Sequence, residues 1–284
     1  MKPLVSAIIP TQNRPMMLRE AAASVLGQTF RDLELIIVAN AATPDTITAA
    51  QEIVRQDKRA HLIVRERGSL PYARNVGLSK ACGEWVAYLD DDDLWLPTKI
   101  AKQLAEAERS GAALIGCGMV QFNRSGITGR IGAPIPAGLS LREALTVYNC
   151  LPGSASGALI RASAMRALGG FDESLRACED WDMWRRICWH HDVSHVDEVL
   201  AHYRIHDQRM SDERRRMFRA ELYLLMKITR DTPPHLRHMV RRAWSEKFWR
   251  ESANIYAWAN HHSGGVVQKV YRRIRSAVLP TAIR

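Results

Sequence analysis

The order of elements written into residues 4–89 is the strongest constraint on this chain. Residues 4–9 are an almost unbroken apolar run that reaches Pro10, the pattern of a strand buried on both faces. Residues 15–28 then place Leu18, Ala22, Val25 and Leu26 on one helical stripe, with Pro15 near the first turn. A second buried strand at 34–38 precedes a polar turn and a helix over 46–56, and residues 61–64 and 85–89 read as two more strands separated by a helix over 71–80. Strand and helix alternate, which predicts an α/β fold with a mainly parallel sheet flanked by helices. Such sheets bind ligands beyond the carboxyl ends of their strands, so the polar residues after Ile9, Val38 and Leu89 are where chemistry is expected. Residues 109–161, rich in Gly, Pro and Ser, read as loops around short strands and carry no chemistry that can be assigned.

The formal charge of +10 is unevenly distributed. Residues 1–213 hold 24 basic against 26 acidic side chains, and residues 214–284 hold 16 against 4. The strand signals stop at about the same place, so two regions are expected: a domain over 1–212 and a basic helical region over 213–284. In the latter, arginines such as Arg214, Arg241 and Arg272 interleave with aromatics such as Phe218, Trp244 and Tyr271. Helices of this kind suit an anionic membrane surface, and equally suit packing by the aromatic face with Arg turned to water. No recognised module accompanies the charge, which argues against nucleic acid as partner. Five cysteines without C-x-x-C spacing give neither a zinc cage nor a disulfide framework and suggest a reducing compartment. No secretory signal or membrane span is read, so the expected location is cytoplasmic, with peripheral association at the inner membrane surface left to the tail.

Four consecutive carboxylates, Asp90-Asp91-Asp92-Asp93, follow the strand at 85–89. Adjacent acids at the mouth of a buried strand repel one another and call for a cation, for which Mg2+ or Mn2+ is the natural candidate when phosphate oxygens complete the shell. The other reading is that Asp93 caps a helix beginning near residues 94–97 while its neighbours are solvated. A second acidic cluster, Glu179-Asp180-x-Asp182, opens a helical pattern and serves either to complement the helix dipole or to supply a general base. Arg74, at the start of a helix, suits a phosphate or a base edge, and His206 follows Tyr203-Arg204.

Taken together these residues resemble the inverting family 2 glycosyltransferases, which have the Rossmann-like GT-A fold. The resemblance covers about residues 4–210. It rests on Ser6-Ala7-Ile8-Ile9-Pro10-Thr11-Gln12-Asn13-Arg14, on Ser24-Val25-Leu26-Gly27-Gln28-Thr29-Phe30, on Ala73-Arg74-Asn75-Val76-Gly77-Leu78 and on Leu89-Asp90-Asp91-Asp92-Asp93-x-Trp95-x-Pro97-x-Lys99. Gly169-Gly170-Phe171-Asp172-Glu173 and Glu179-Asp180-Trp181 follow in the expected order. It implies that Pro10, Thr11, Asn13 and Arg14 line a nucleotide pocket, that Arg74 faces the nucleotide, and that Asp90 and Asp92 match a D-x-D pair. In that pair Asp92 is the direct metal ligand and Asp90, beside Asp91, lies nearer the ribose. Asp180 matches the catalytic base with Glu179 beside it, and His206 a contact to diphosphate or metal. One departure stands out: where the family usually has an Asp-Asp or Asp-Asn pair after the second strand, this chain has Ala39 and Asn40, which bears on the identity of the base.

The resemblance implies metal-dependent transfer, with inversion, from a nucleoside diphosphate sugar, UDP-sugar favoured, to a hydroxyl acceptor on a glycan or lipid-linked carrier in bacterial polysaccharide or glycoconjugate synthesis. Two alternatives stay open. A nucleotidyltransferase would be expected to carry a glycine- and basic-rich loop after the first strand, where Thr11-Gln12-Asn13-Arg14-Pro15 has no glycine. A degenerate scaffold with a working basic tail has the Ala39-Asn40 change as its sequence support.

Overall fold

The computed structural model describes residues 2–131, 135, 139–151 and 153–206, together with scattered positions between 220 and 240. Its elements in chain order begin with β1 (Val5–Thr11), α1 (Pro15–Leu26), β2 (Leu33–Asn40), α2 (Pro44–Gln56), β3 (Ala60–Arg65), α3 (Leu70–Lys80) and β4 (Trp85–Tyr88). They continue with β5 (Leu94–Trp95), α4 (Lys99–Ser110), β6 (Leu114–Asn123), β7 (Gly126–Ile131), α5 (Leu141–Val147), a 3-10 turn at Ser154–Gly157, β8 (Leu159–Arg161), α6 (Ala162–Ala167), α7 (Glu179–His190) and β9 (Val193–Arg204). The strands lie in the order β3-β2-β1-β4-β8-β6-β9-β5, with β7 paired to β6.

The first four strands are mutually parallel, with β1 in the middle, Val5 opposite both Leu33 and Trp85. Successive residues of β1 serve opposite faces, as the pleat requires. Val5, Ala7 and Ile9 pack with Leu18, Ala22 and Val25 of α1 and Ile53 of α2 on one side. Ile8 joins Ala73 and Leu78 of α3 and Trp184 and Ile187 of α7 on the other. A strand covered on both faces has no polar side to show, which is why residues 4–9 read as one apolar run.

Beyond β4 the sheet is mixed. β8 runs antiparallel to β4 and β6, whereas β6 and β9 are parallel. Residues 109–161 thus form more regular structure than their composition suggests, including the ten-residue strand β6. β6 needs its glycines: a Cβ on Gly118 would lie 2.7 Å from the Glu198 carbonyl of β9, where the register shifts. The expected helix start near 94–97 is also corrected. Leu94 and Trp95 pair with His202 and Ala201 in β9, and α4 begins at Lys99 after Pro97, which closes the strand.

The boundary at 212/213 lies outside the described residues, as do Arg214, Arg241, Arg272, Phe218, Trp244 and Tyr271. Where the basic region is described it packs on the α/β body. Leu224, Ile228 and Val240 are buried against Trp181, and Lys227 Nζ donates to Asp172 Oδ2 at 2.6 Å and Asp182 Oδ2 at 3.0 Å. Among the described residues no helix is long and apolar enough to cross a membrane.

Candidate active site

The carboxyl ends of β1, β2 and β4 open on one edge of the sheet. Because β8 runs the other way, the turn that precedes it, Ser154–Gly157, reaches that same edge, as does the end of β9. Residues 90–93 sit at its centre.

The four aspartates are each held differently. Asp90 Oδ1 accepts from Arg74 Nη2 at 2.6 Å. Asp91 accepts from Thr11 Oγ1 at 2.7 Å and from Arg14 Nη1 at 2.9 Å. Asp92 Oδ2 takes a second bond from Arg14 Nη1 at 2.6 Å and lies 2.9 Å from His206 Nε2. Asp93 accepts from Ser156 Oγ at 2.7 Å and from the Arg204 N–H at 3.0 Å. It is therefore a buried tie to two distant segments and not a helix cap. Burial raises Asp91 to about 6 against the opposing pull of Arg14. Burial, with Asp92 and Asp90 adding to it, holds Asp93 well above the usual carboxylate range.

The second cluster is brought to the first by α7. Cys178, in the left-handed conformation at φ 60°, turns the chain into the helix, so that Glu179 and Asp180 fall in the first turn, where the helix dipole favours acids. Arg74 bridges the clusters: Nη1 donates to Glu179 Oε1 at 2.5 Å while Nη2 holds Asp90. The guanidinium is fully buried, stacks 5.5 Å from the Phe171 ring centroid, and leaves its Nε without a hydrogen-bond partner among the described residues. A buried charge is tolerated when paired, and here one cation serves two acids. Asp180 Oδ1 accepts from the Trp181 N–H at 2.7 Å. Burial raises both Glu179 and Asp180 above their ordinary values, with Arg74 opposing it in each.

The remaining predicted residues surround this core. Pro10 is buried at the end of β1, and Asn13 Oδ1 accepts from the Thr43 N–H at 3.2 Å ahead of α2. Asn40, at the end of β2, donates from Nδ2 to the Gly68 carbonyl at 3.0 Å, while its buried Oδ1 has no hydrogen-bond partner among the described residues. Gly68 sits at φ 147°, and a Cβ there would come within 2.1 Å of the Tyr72 ring and 2.9 Å of Asn40 Oδ1. Ser156, Arg204 and Trp95, which donates from Nε1 to the Ser156 carbonyl at 2.9 Å, escaped the sequence reading as site residues. Arg204, two positions before His206, and Trp95, two positions after Asp93, carried a nearby signal, whereas Ser156 carried none.

Asp92 Oδ2 beside the His206 imidazole offers two donors of a kind that Mn2+ or Mg2+ accepts, and Arg14 set between Asp91 and Asp92 shows that the turn draws positive charge. Among the described residues, no group of three or more His, Cys, Asp or Glu side chains converges as a ready metal cage. Phosphate oxygens are what usually complete the shell of Mg2+.

The fold is shared with solved GT-A glycosyltransferases. S. aureus TarS in complex with UDP-GlcNAc superposes with a TM-score of 0.73 at 16% identity, over 98% of this chain and 82% of that one. The mannosyltransferase PcManGT from Pyrobaculum calidifontis, in complex with GDP-Man and Mn2+, gives 0.67 at 18% identity over 99% and 82%. By sequence, the chain is 28% identical to the putative teichuronic acid biosynthesis glycosyltransferase TuaG of Bacillus subtilis, over 86% of this chain and 93% of that protein. It is 29% identical to an uncharacterized glycosyltransferase of Rickettsia typhi over 72% of this chain, but spans only 65% of that relative's length. Residues 6–169, which carry β1 through α6, the acidic turn and Arg74, match the model of the glycosyl transferase family 2, and the chain belongs to that family.

Proposed function

We propose that the protein transfers a sugar from a nucleoside diphosphate sugar to a hydroxyl acceptor with inversion at the anomeric carbon. The observation that carries this is the Arg74 bridge, which holds the acidic turn and the Glu179-Asp180 pair at one edge through contacts of 2.6 and 2.5 Å. Two carboxylate groups with separate duties can then act on one substrate.

Asp180 is the general base: its raised affinity for a proton matches it better to an alcohol than an ordinary aspartate would be. Glu179 and Arg74 fix its surroundings. Thr11, Asn13, Arg14, Asp90 and Asp91 line the nucleotide side with Pro10. Asp92, with Asp90 and His206 nearby, would hold Mn2+ or Mg2+. When bound, the ion supplies positive charge against the leaving diphosphate. A UDP-sugar is the favoured donor, because the orphaned Asn40 Oδ1 suits the imide N–H of a uracil. Nucleotide complexes of TarS and of PcManGT, one with Mn2+, support the donor class, and the name of TuaG supports a glycan or lipid-linked acceptor in bacterial polysaccharide synthesis. Contact of the basic tail with an anionic membrane surface belongs to the same proposal, on the charge partition alone.

The deciding experiment measures sugar transfer and donor binding in Asp180→Asn. Turnover should fall by about 10² to 10⁴, the usual range for general-base assistance, with UDP binding unchanged. Undiminished turnover refutes the assignment of the base.

A further inference from the structure

Asp93 is only 1% exposed, and its two oxygens go to two remote parts of the chain. Oδ2 takes the Ser156 hydroxyl and Oδ1 the Arg204 N–H. The same Ser156 Oγ accepts from the Asp90 N–H at 3.1 Å, so one hydroxyl ties the first residue of the acidic turn to its last. Arg204 completes the loop by donating from Nε to the Asp92 carbonyl at 2.7 Å, two residues before His206 meets Asp92.

Ser156 is itself held from below. Trp95 Nε1 bonds its carbonyl, and Gln103 Nε2 bonds the Gly157 carbonyl at 2.9 Å and the Ile115 carbonyl at 2.8 Å. Gln103 Oε1 accepts from Lys99 Nζ at 2.7 Å, and that ammonium lies 4.2 Å over the Trp95 ring. The spacing Trp95, Lys99, Gln103 thus builds a rigid floor under the turn at Ser154–Gly157.

We propose that Asp93, Ser156 and Arg204 form a clasp that locks the acidic turn against the end of β9 and so sets His206 on Asp92, with Ser156 as the positioning residue at its centre. The clasp rests on the reading of Asp90 and Asp92 as the diphosphate and metal side of the site. Its chemistry is apt: adjacent carboxylates push a turn apart, and a hydroxyl with two backbone N–H groups restrains it without consuming Asp90 or Asp92. Partners of this outer kind typically change metal affinity by about 10- to 100-fold.

The test uses the full chain and the variants Ser156→Ala and Arg204→Lys, with thermal unfolding to verify that each folds. The His206 ring is followed by its ¹⁵N–¹H signals, assigned through His206→Gln, and Mn2+ binding in the presence of UDP by electron paramagnetic resonance. In both variants the His206 signals should move toward those of Asp92→Asn, and the Mn2+ dissociation constant should rise about tenfold. His206 signals that coincide with the parent's in the folded variants overturn the clasp. A parent chain that binds neither Mn2+ nor UDP overturns the nucleotide-sugar reading instead, and the His206 signals still decide the clasp. Should Ser156→Ala not fold, Asp93→Asn decides it on the same His206 signals, because one amide oxygen cannot accept from both the Ser156 hydroxyl and the Arg204 N–H.

Discussion

In the turn at 90–93, every carboxylate is answered by a residue from far along the chain: Arg14 and Thr11 from the end of β1, Arg74 from α3, Ser156 from the turn before β8, Arg204 and His206 from the end of β9. The pair at 179–180 depends more on its own neighbourhood, with the first turn of α7 beneath it, the Trp181 N–H on Asp180, and Arg74 as its distant cation. The difference is one of cost and duty. Local support comes with helix formation, whereas the acidic turn exists only if the whole sheet edge assembles. On the proposed reading, a turn that is to hold a divalent cation has reason to be held from many directions, and a base needs only a defined position and a raised proton affinity.

That contrast can be broken most severely by separating the two duties. Asp92→Asn and Asp180→Asn should each reduce transfer by about 10² or more, but only Asp92→Asn should raise the Mn2+ concentration needed for half-maximal rate. Equal metal dependence in both would erase the distinction. The acid limb of turnover should also lie above the ordinary aspartate value of 3.8, since a base with a raised proton affinity is lost at a higher pH than usual.

Arg74→Met attacks the link itself. It leaves Asp90 and Glu179 without their buried cation and should cost about 3–5 kcal/mol in denaturant unfolding, while Arg74→Lys, a single point of charge, should recover part of that loss. A smaller effect tests the body behind the base. Ile228→Ala opens space against Trp181 and should destabilise by about 2–4 kcal/mol, measurable as a fall in melting temperature.

The smallest expected effect concerns the floor beneath Ser156. Burial lowers Lys99 to about 8 from the ordinary 10.5. Between those values the unfolded chain binds the proton more readily than the folded one, so this group's contribution to stability improves as pH rises; below pH 8 the folded state carries the full penalty of the buried charge. Replacing it by Met should flatten that slope, with a difference from the parent of at most about 3 kcal/mol between pH 7 and 10. Parallel stability curves for parent and variant would show that Lys99 titrates normally.

The first half of the fold was legible because β1, β2 and β4 are buried on both faces and the helices between them carry one apolar stripe, so each segment's pattern agrees with its place. The run at 90–93 was legible for a related reason: adjacent carboxylates beyond a buried strand repel one another and call for partners of opposite charge. What stayed hidden was relational. Ser156 lies among small residues in a stretch that reads as loop, and nothing local announces that β8 runs backwards and brings it to the active edge. Asp93 looked like a cap because caps are local and its partners are 63 and 111 positions away. β9 was missed because its twelve residues mix apolar and polar positions, with register shifts opposite β6.

The length of those separations also governs when the site can come into being. Arg204 and His206 close the acidic turn, and they lie at and just beyond the end of β9, the last strand among the described residues. As the chain emerges, residues 90–93 must wait through more than a hundred positions for the groups that restrain them. Contacts of such range form late, after their loop-closure entropy has been met by the rest of the fold. A nascent chain that has not yet paired β9 therefore has the aspartates but not the clasp, and should gain Mn2+ and nucleotide affinity only in its final stage of folding.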